Sequence, residues 1–366
     1  MLGRREAIAR FWGLVLASPL LAQRPESDPE RTTPLDGLIN CWEIEEAARS
    51  RLSPELFEHI AAGAESGRTV RANREFFERI TFRPRMLVDV TELDLSSELL
   101  GQTMFAPILA GPTGLQGRFH PEGEAATVKG AALARALAVV SERSSRPLAE
   151  IGPAAGGPWW IQTSPDGDLE RVREAQRLGA VAVVLTLDGG PRRPLDADVR
   201  RGSAKGWPPA GIAPTRPDGR AALERLRKEI GLPVVAKGLL TAEAARAAVE
   251  AGAAAVCVSN HGGRIVDGLP STIEALPAVA DAVGERVPVL ADGGFRRGSD
   301  ILKALAFGAD AVLLGRPVLW ALAAYGAEGV QRLLTLLQSE LALAMGLSGT
   351  PNLAAVSRRL VKLHSR

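Results

Sequence analysis

The run Ala255-Val256-Cys257-Val258 leads into Ser259-Asn260-His261-Gly262-Gly263-Arg264, so a histidine and an arginine stand three residues apart on a turn sharpened by two glycines. An imidazole takes up a proton near neutral pH. A guanidinium clamps a carboxylate through two parallel hydrogen bonds. Other apolar runs also end in reactive groups: Gln162-Thr163-Ser164, Thr186-Leu187-Asp188, Ala236-Lys237-Gly238, Asp292-Gly293-Gly294-Phe295-Arg296 and Gly315-Arg316-Pro317. A carboxylate such as Asp188 can orient an imidazole and stabilise its cation. A lysine such as Lys237 can stabilise negative charge developing on a cofactor. The last two turns combine glycines with an arginine each, and so offer backbone N–H groups and cations to a phosphate.

These groups need a scaffold that brings strand ends together. Eight short apolar runs, at 105–110, 137–141, 159–163, 180–187, 233–237, 255–259, 288–291 and 311–314, read as strands buried on both faces. Amphipathic segments such as 169–178, 221–230, 242–251, 272–283 and 299–307 alternate with them and read as helices. Eight such units predict an α/β fold, a closed (β/α)8 TIM barrel, in which residues at the C-terminal strand ends face the active site. An open doubly wound sheet is the alternative, but no G-x-G-x-x-G turn follows the first strand. Residues 34–100 read as a small helical preface to a barrel at 101–366, with Pro54 suited to a helix start. Residues 326–366 read as helical, closing the outer ring. The stretch 189–219, rich in Pro, Gly and Arg, reads as a long loop on the catalytic face, a lid or an insertion.

Composition excludes several function classes. The chain is 46% hydrophobic and 23% charged with a formal net charge of +2, which gives no basic surface for nucleic acid or membrane. The two cysteines, Cys41 and Cys257, form neither a disulfide framework nor a metal site. Arg4-Arg5 precede the apolar stretch IARFWGLVLASPLLA at 8–22, and a polar segment follows. That pattern predicts a signal peptide and linker over 1–33 and a periplasmic protein, with the paired arginines suggesting the twin-arginine route. An N-terminal amphipathic helix on a cytoplasmic protein is the alternative.

The motif set resembles the FMN-dependent 2-hydroxy acid oxidases and dehydrogenases, the family of glycolate oxidase, lactate oxidase and mandelate dehydrogenase. S-N-H-G-G-R with D-G three residues on carries the resemblance, together with V-A-K-G, A-D-G-G-F-R-R-G-S-D-I-L-K-A-L-A-F-G-A and G-R-P. F-R-P-R-M-L (82–87), A-G-P-T-G (110–114) and H-P-E-G-E (120–124) extend it from near Glu45 almost to the C-terminus. The resemblance implies oxidation of a 2-hydroxy acid to a 2-oxo acid, with His261 as base and flavin N5 as hydride acceptor. The reduced flavin would pass its electrons to O2, a quinone or a carrier. Asp188 would pair with His261, and Arg264 would bind the substrate carboxylate. Lys237 would sit by the flavin N1–O2 edge. Pro112, Thr113, Gly114, Ser141, Gln162 and Thr186 would line the flavin ring, with Ser259 in contact with it. Asp292 would hold the ribityl chain, and Gly293, Gly294, Arg296, Gly315 and Arg316 would surround the phosphate. The resemblance also implies a homo-oligomer.

Several positions depart from the family pattern. His59 replaces a preface tyrosine and would contact the substrate with His261 and Arg264, Ser164 replaces a second tyrosine, and Arg143 stands where a tryptophan is usual. The second carboxylate-binding arginine aligns with Leu195, although Arg192 and Arg193 lie close by. Half of the carboxylate pocket is therefore rebuilt, which predicts weak binding of glycolate and lactate and a preference for bulkier acids. Two other readings follow from the same losses: a different FMN-barrel reaction resembling isopentenyl diphosphate isomerase, or a flavin-binding protein with little turnover.

Overall fold

The protein is described here by a computed structural model covering residues 33–189, Asp196, Val199 and residues 218–364. Eight parallel strands form its centre: β4 (Ile108–Ala110), β5 (Val139–Ser141), β6 (Trp159–Thr163), β7 (Ala180–Thr186), β8 (Val234–Leu239), β9 (Ala255–Val258), β10 (Val289–Asp292) and β11 (Ala311–Leu314). All eight lie within or overlap the apolar runs read from sequence. The sheet order β4-β11-β10-β9-β8-β7-β6-β5 places the first strand beside the last. The Ala110–Ala138 bridge and a 2.9 Å bond from the Ala110 N–H to the Leu137 carbonyl join β4 to β5. The sheet thus curls into a TIM barrel.

Strand alternation splits the core in two. Leu109, Val139, Trp160, Ala182, Val184, Val235, Ala255, Cys257, Leu290, Ala311 and Leu313 fill the barrel interior. Their neighbours Ile108, Val140, Ile161, Val183, Leu185, Ala236, Val256, Ala291 and Val312 pack outward under the helices. Extending the inward parity by two residues yields Ser141, Gln162, Thr186, Lys237, Ser259 and Asp292. The same strand faces that are apolar below therefore turn polar at the barrel mouth.

The outer layer comprises α4 (Gly123–Leu133), α5 (Leu148–Ala155), α6 (Leu169–Arg177), α7 (Gly219–Ile230), α8 (Ala242–Glu250), α9 (Thr272–Val283), α10 (Gly298–Ala306) and α11 (Arg316–Leu347). Asp168 and Asp218 cap α6 and α7 by accepting first-turn N–H groups.

The preface departs from the helical expectation. It holds α1 (Cys41–Arg51), α2 (Pro54–Ala61) and α3 (Arg68–Glu78), but also β1 (Ile80–Phe82) and β2 (Ser97–Leu99), which forms a hairpin with β3 (Gln102–Met104) just beyond it. Leu99 and Met104 of the hairpin join the interior cluster and so cover apolar surface inside the barrel. The C-terminal stretch departs too. After α11, which breaks direction at Tyr325 and Gly326, the chain ends in β12 (Val361–Leu363), antiparallel to β1. Three residues of strand carry no readable period, and β1 supplies the partner. Among the described residues no helix is long and apolar enough to cross a membrane. Residues 1–32, all but the last residue of the expected signal peptide and linker, and Arg192, Arg193 and Leu195 lie outside the described residues.

Candidate active site

A cavity of about 840 Å3 opens at the C-terminal ends of the strands. Residues of all eight strands or of the loops after them line it, and every sequence-assigned residue except Asp188 and Ser259 is on its wall. Those two stand behind His261 and Lys237.

The centre of the site is a chain of polar contacts. His261 Nδ1 lies 3.1 Å from Asp188 Oδ1, across 73 residues of sequence. The His261 N–H donates to Ser259 Oγ at 3.0 Å, and Lys237 Nζ donates to the same oxygen at 2.6 Å. Lys237 Nζ also lies 2.7 Å from Asp292 Oδ2. Burial opposes the Lys237 charge, but Asp292 and then Asp188 outweigh it and raise its pKa above the ordinary lysine value. Lys237 is therefore a permanent buried cation at neutral pH.

Local backbone conformation makes these contacts possible. Gly238 has φ +104°, beside a register shift between Lys237 and Leu239. A Cβ there would fall 2.6 Å from Asp188 Cγ, so only glycine lets the Asp188 carboxylate approach β8. His261 itself has φ +55°, an uncommon conformation for a residue with a side chain.

The preface holds this turn in place. The Ala64 N–H donates to the Gly263 carbonyl at 2.8 Å. Asn73 on α3 and Asn260 exchange side-chain hydrogen bonds of 3.0 and 2.8 Å in a buried position. Asp267 accepts from Ser66 Oγ at 2.6 Å, the Thr69 N–H at 2.7 Å and the Arg68 N–H at 3.0 Å, and so fastens the same loop to the first turn of α3. Neither Asn73 nor Ser66 was legible as a site residue, because their partners lie about 190–200 positions away.

Three arginines converge nearby. Arg264 Nη1 donates to the carbonyls of His59, Ile60 and Ala62. Arg316 donates through Nε, Nη1 and Nη2 to the carbonyls of Ile60, Gly262 and Ala62, each at 2.9 Å. Its guanidinium ties α2 to the turn that carries His261, a contact the sequence alone does not predict. Arg296 stacks over Trp320 at 4.7 Å and donates to the Phe295 carbonyl. Burial depresses the pKa of Arg316, with further lowering from Arg264 and Arg296. Burial likewise lowers Arg296. Such crowding of cations favours an anion beside them.

A sequence model of the FMN-dependent dehydrogenase family matches residues 48–206 and 214–363. The chain belongs to that family. It is 37% identical over 353 residues to peroxisomal (S)-2-hydroxyacid oxidase GLO3 of Arabidopsis thaliana, covering 90% of this chain and 97% of that protein. Glycolate oxidase 1 of rice, Oryza sativa subsp. indica, is 36% identical over 349 residues, covering 88% and 95%. The crystal structure of mandelate oxidase with (S)-2-phenylpropionate superposes with a TM-score of 0.83 at 40% identity, covering 90% of this chain and all of the other. The protein is an FMN-dependent oxidoreductase.

The residues present suit that cofactor. Asp292 Oδ1 is buried and has no hydrogen-bond partner among the described residues, which leaves an acceptor for a hydroxyl-rich chain. The arginine cluster suits a phosphate, and the buried Lys237 suits a flavin ring that gains negative charge. The sequence reading overlooked Arg118, Phe119, Glu142 and Asp166, which also line the cavity. Arg118 and Phe119 sit in the loop after β4, between two motifs that were read, so their position was the available signal. Ser164, at the position of a family tyrosine, donates to Glu142 Oε1 at 2.8 Å. His59 lies on the wall with its Nε2 3.5 Å from Arg118 Nη1.

Proposed function

We propose that this protein oxidises a 2-hydroxy acid to the 2-oxo acid, with His261 as the catalytic base. The observation that carries the reading is His261, paired with Asp188 behind it, on the wall of a cavity that also presents Arg264 and Lys237. With Nδ1 held by Asp188, Nε2 takes the proton of the substrate hydroxyl. The imidazolium so formed is stabilised by the adjacent carboxylate. Arg264 holds the substrate carboxylate, its guanidinium oriented by the α2 carbonyls. FMN, when bound, would supply a two-electron acceptor for the carbinol C–H hydrogen as hydride, while His261 takes the hydroxyl proton. Lys237 supplies positive charge at the ring edge, and Ser259 orients both Lys237 and the His261 backbone. Pro112, Thr113, Gly114, Ser141, Gln162 and Thr186 would line the ring, and Asp292 would accept from the ribityl hydroxyls. Gly293, Gly294, Arg296 and Gly315 would surround the phosphate, with Arg316 adding charge beside them.

The test is His261→Gln in the holoenzyme, followed by anaerobic reduction with a panel of 2-hydroxy acids. FMN is retained, and reduction slows by about 10²–10⁴, the usual contribution of a general base. Reduction near the parental rate overturns the assignment. Comparing O2 with an artificial quinone as oxidant then identifies the class of acceptor. We also propose that residues 34–366 form one catalytic unit and that residues 1–33 are an export signal and linker. N-terminal sequencing of mature protein from fractionated cells checks this, and an intact residue 1–22 segment on cytoplasmic protein refutes it. Self-association is proposed as well, supported by the exposed Met86, Leu87, Leu343 and Leu347. Light scattering measures it.

A further inference from the structure

The cavity holds more positive charge than the proposed reaction uses. Arg264 serves one substrate carboxylate, Arg296 and Arg316 flank the phosphate region, and Lys237 is paired with Asp292. Arg118 and Arg143 remain. Both line the cavity, both are exposed, and neither makes an ion pair among the described residues. They belong to one rim. The Leu115 N–H donates to the Arg143 carbonyl at 2.8 Å, and the Gly117 N–H donates to Ser145 Oγ at 2.6 Å, which stitches the β4 loop to the β5 loop.

Arg118 is also linked to the substrate-binding arginine. Its Nη1 lies 3.5 Å from His59 Nε2, while the His59 carbonyl accepts from Arg264 Nη1 at 2.9 Å. One residue therefore separates the two guanidinium groups. The carboxylates on the same wall do not neutralise the rim. Glu142 accepts from Thr163 Oγ1 at 3.0 Å, the Ser164 N–H at 2.9 Å and Ser164 Oγ at 2.8 Å. Asp166 is exposed and makes no ion pair among the described residues.

A purely apolar substrate tail would desolvate two cations without compensation. A very small acid would leave the rim in water. We infer that the substrate is a 2-hydroxy dicarboxylate, whose first carboxylate binds Arg264 and whose distal carboxylate binds Arg118 and Arg143. This inference rests on the proposed 2-hydroxy acid oxidation.

The test uses the holoenzyme and pairs of racemic acids matched in carbon number: 2-hydroxysuccinate against 2-hydroxybutanoate, and 2-hydroxyglutarate against 2-hydroxypentanoate. Anaerobic flavin bleaching gives the reduction rate and apparent affinity for each. Calorimetry with 2-oxoglutarate and 2-oxopentanoate reads binding without turnover. The dicarboxylates are expected to react with kcat/KM about 30- to 100-fold above their partners, the range for charge-assisted contacts. In Arg118→Gln/Arg143→Gln that ratio collapses toward one, chiefly through KM, and the 2-oxoglutarate advantage disappears. Equal rates for both classes in the parental enzyme overturn the inference and leave 2-hydroxy acid oxidation standing. So does a preference for dicarboxylates that survives in the double variant. Failure of every acid in the panel to bleach the flavin overturns the proposed reaction itself, and the inference with it.

Discussion

Replacing Asp188 with Asn removes the charge facing His261 but keeps the shape of the side chain. The two groups are 3.1 Å apart, with side chains 23% and 14% exposed. At that separation Coulomb's law gives about 5 kcal/mol for an effective dielectric near 20 and about 3 kcal/mol near 40. Partial exposure puts the pair between those limits. In the proposed mechanism the interaction is made with the imidazolium formed once the substrate proton has moved, so its loss is expected to fall on the barrier and not on substrate binding. At about 1.4 kcal/mol per factor of ten, reduction should slow roughly 10²–10⁴-fold. The asparagine amide can also donate to Nδ1, which would place the imidazole proton on Nε2 and block the base. The assay is anaerobic stopped-flow bleaching at saturating acid, with FMN content measured beside it. Reduction within about threefold of the parental rate, a barrier change below about 1 kcal/mol, would falsify the paired-base mechanism.

Three further outcomes follow from the geometry. Gly238→Ala puts a Cβ 2.6 Å from Asp188 Cγ at a residue with φ +104°, so the carboxylate moves and reduction slows at least about tenfold with FMN retained; unchanged kinetics would show that this approach is unimportant. Inorganic phosphate should raise the Tm of the apoprotein by a few degrees at about 100 times its dissociation constant, and Arg296→Ala should abolish the shift; calorimetry reads both. Partial burial raises the Asp267 carboxyl, but Ser66 Oγ and the Thr69 and Arg68 N–H groups pull it well below the usual carboxylate range. Its stabilising contribution is therefore complete above the unfolded value of about 4 and is lost as pH falls from there through the folded value. The parental Tm should fall more steeply below about pH 4 than that of Asp267→Asn, and parallel curves would exclude the role.

The barrel was legible because parallel strands buried on both faces are written as unbroken apolar runs, and because helical segments fill the intervals. The reactive residues were legible because a barrel places the residue after each run at one mouth. What the linear chain could not specify are the contacts between elements distant in sequence. The sequence predicts a helical preface and a helical C-terminal stretch, yet β1 and β12, separated by about 280 residues, exist by pairing with each other. The β2–β3 hairpin is a strand pair because its Leu99 and Met104 find apolar surface inside the barrel. Neighbour order around the barrel decides that β8 lies between β7 and β9, and so brings Asp188, Lys237, Ser259 and His261 together. The Asn73–Asn260 pair and the Arg316 clamp on α2 likewise depend on where the preface docks. Local periodicity encodes which face of an element is apolar. Which elements meet across that face is decided only when the ring closes, because each contact joins residues whose local sequences carry no information about one another.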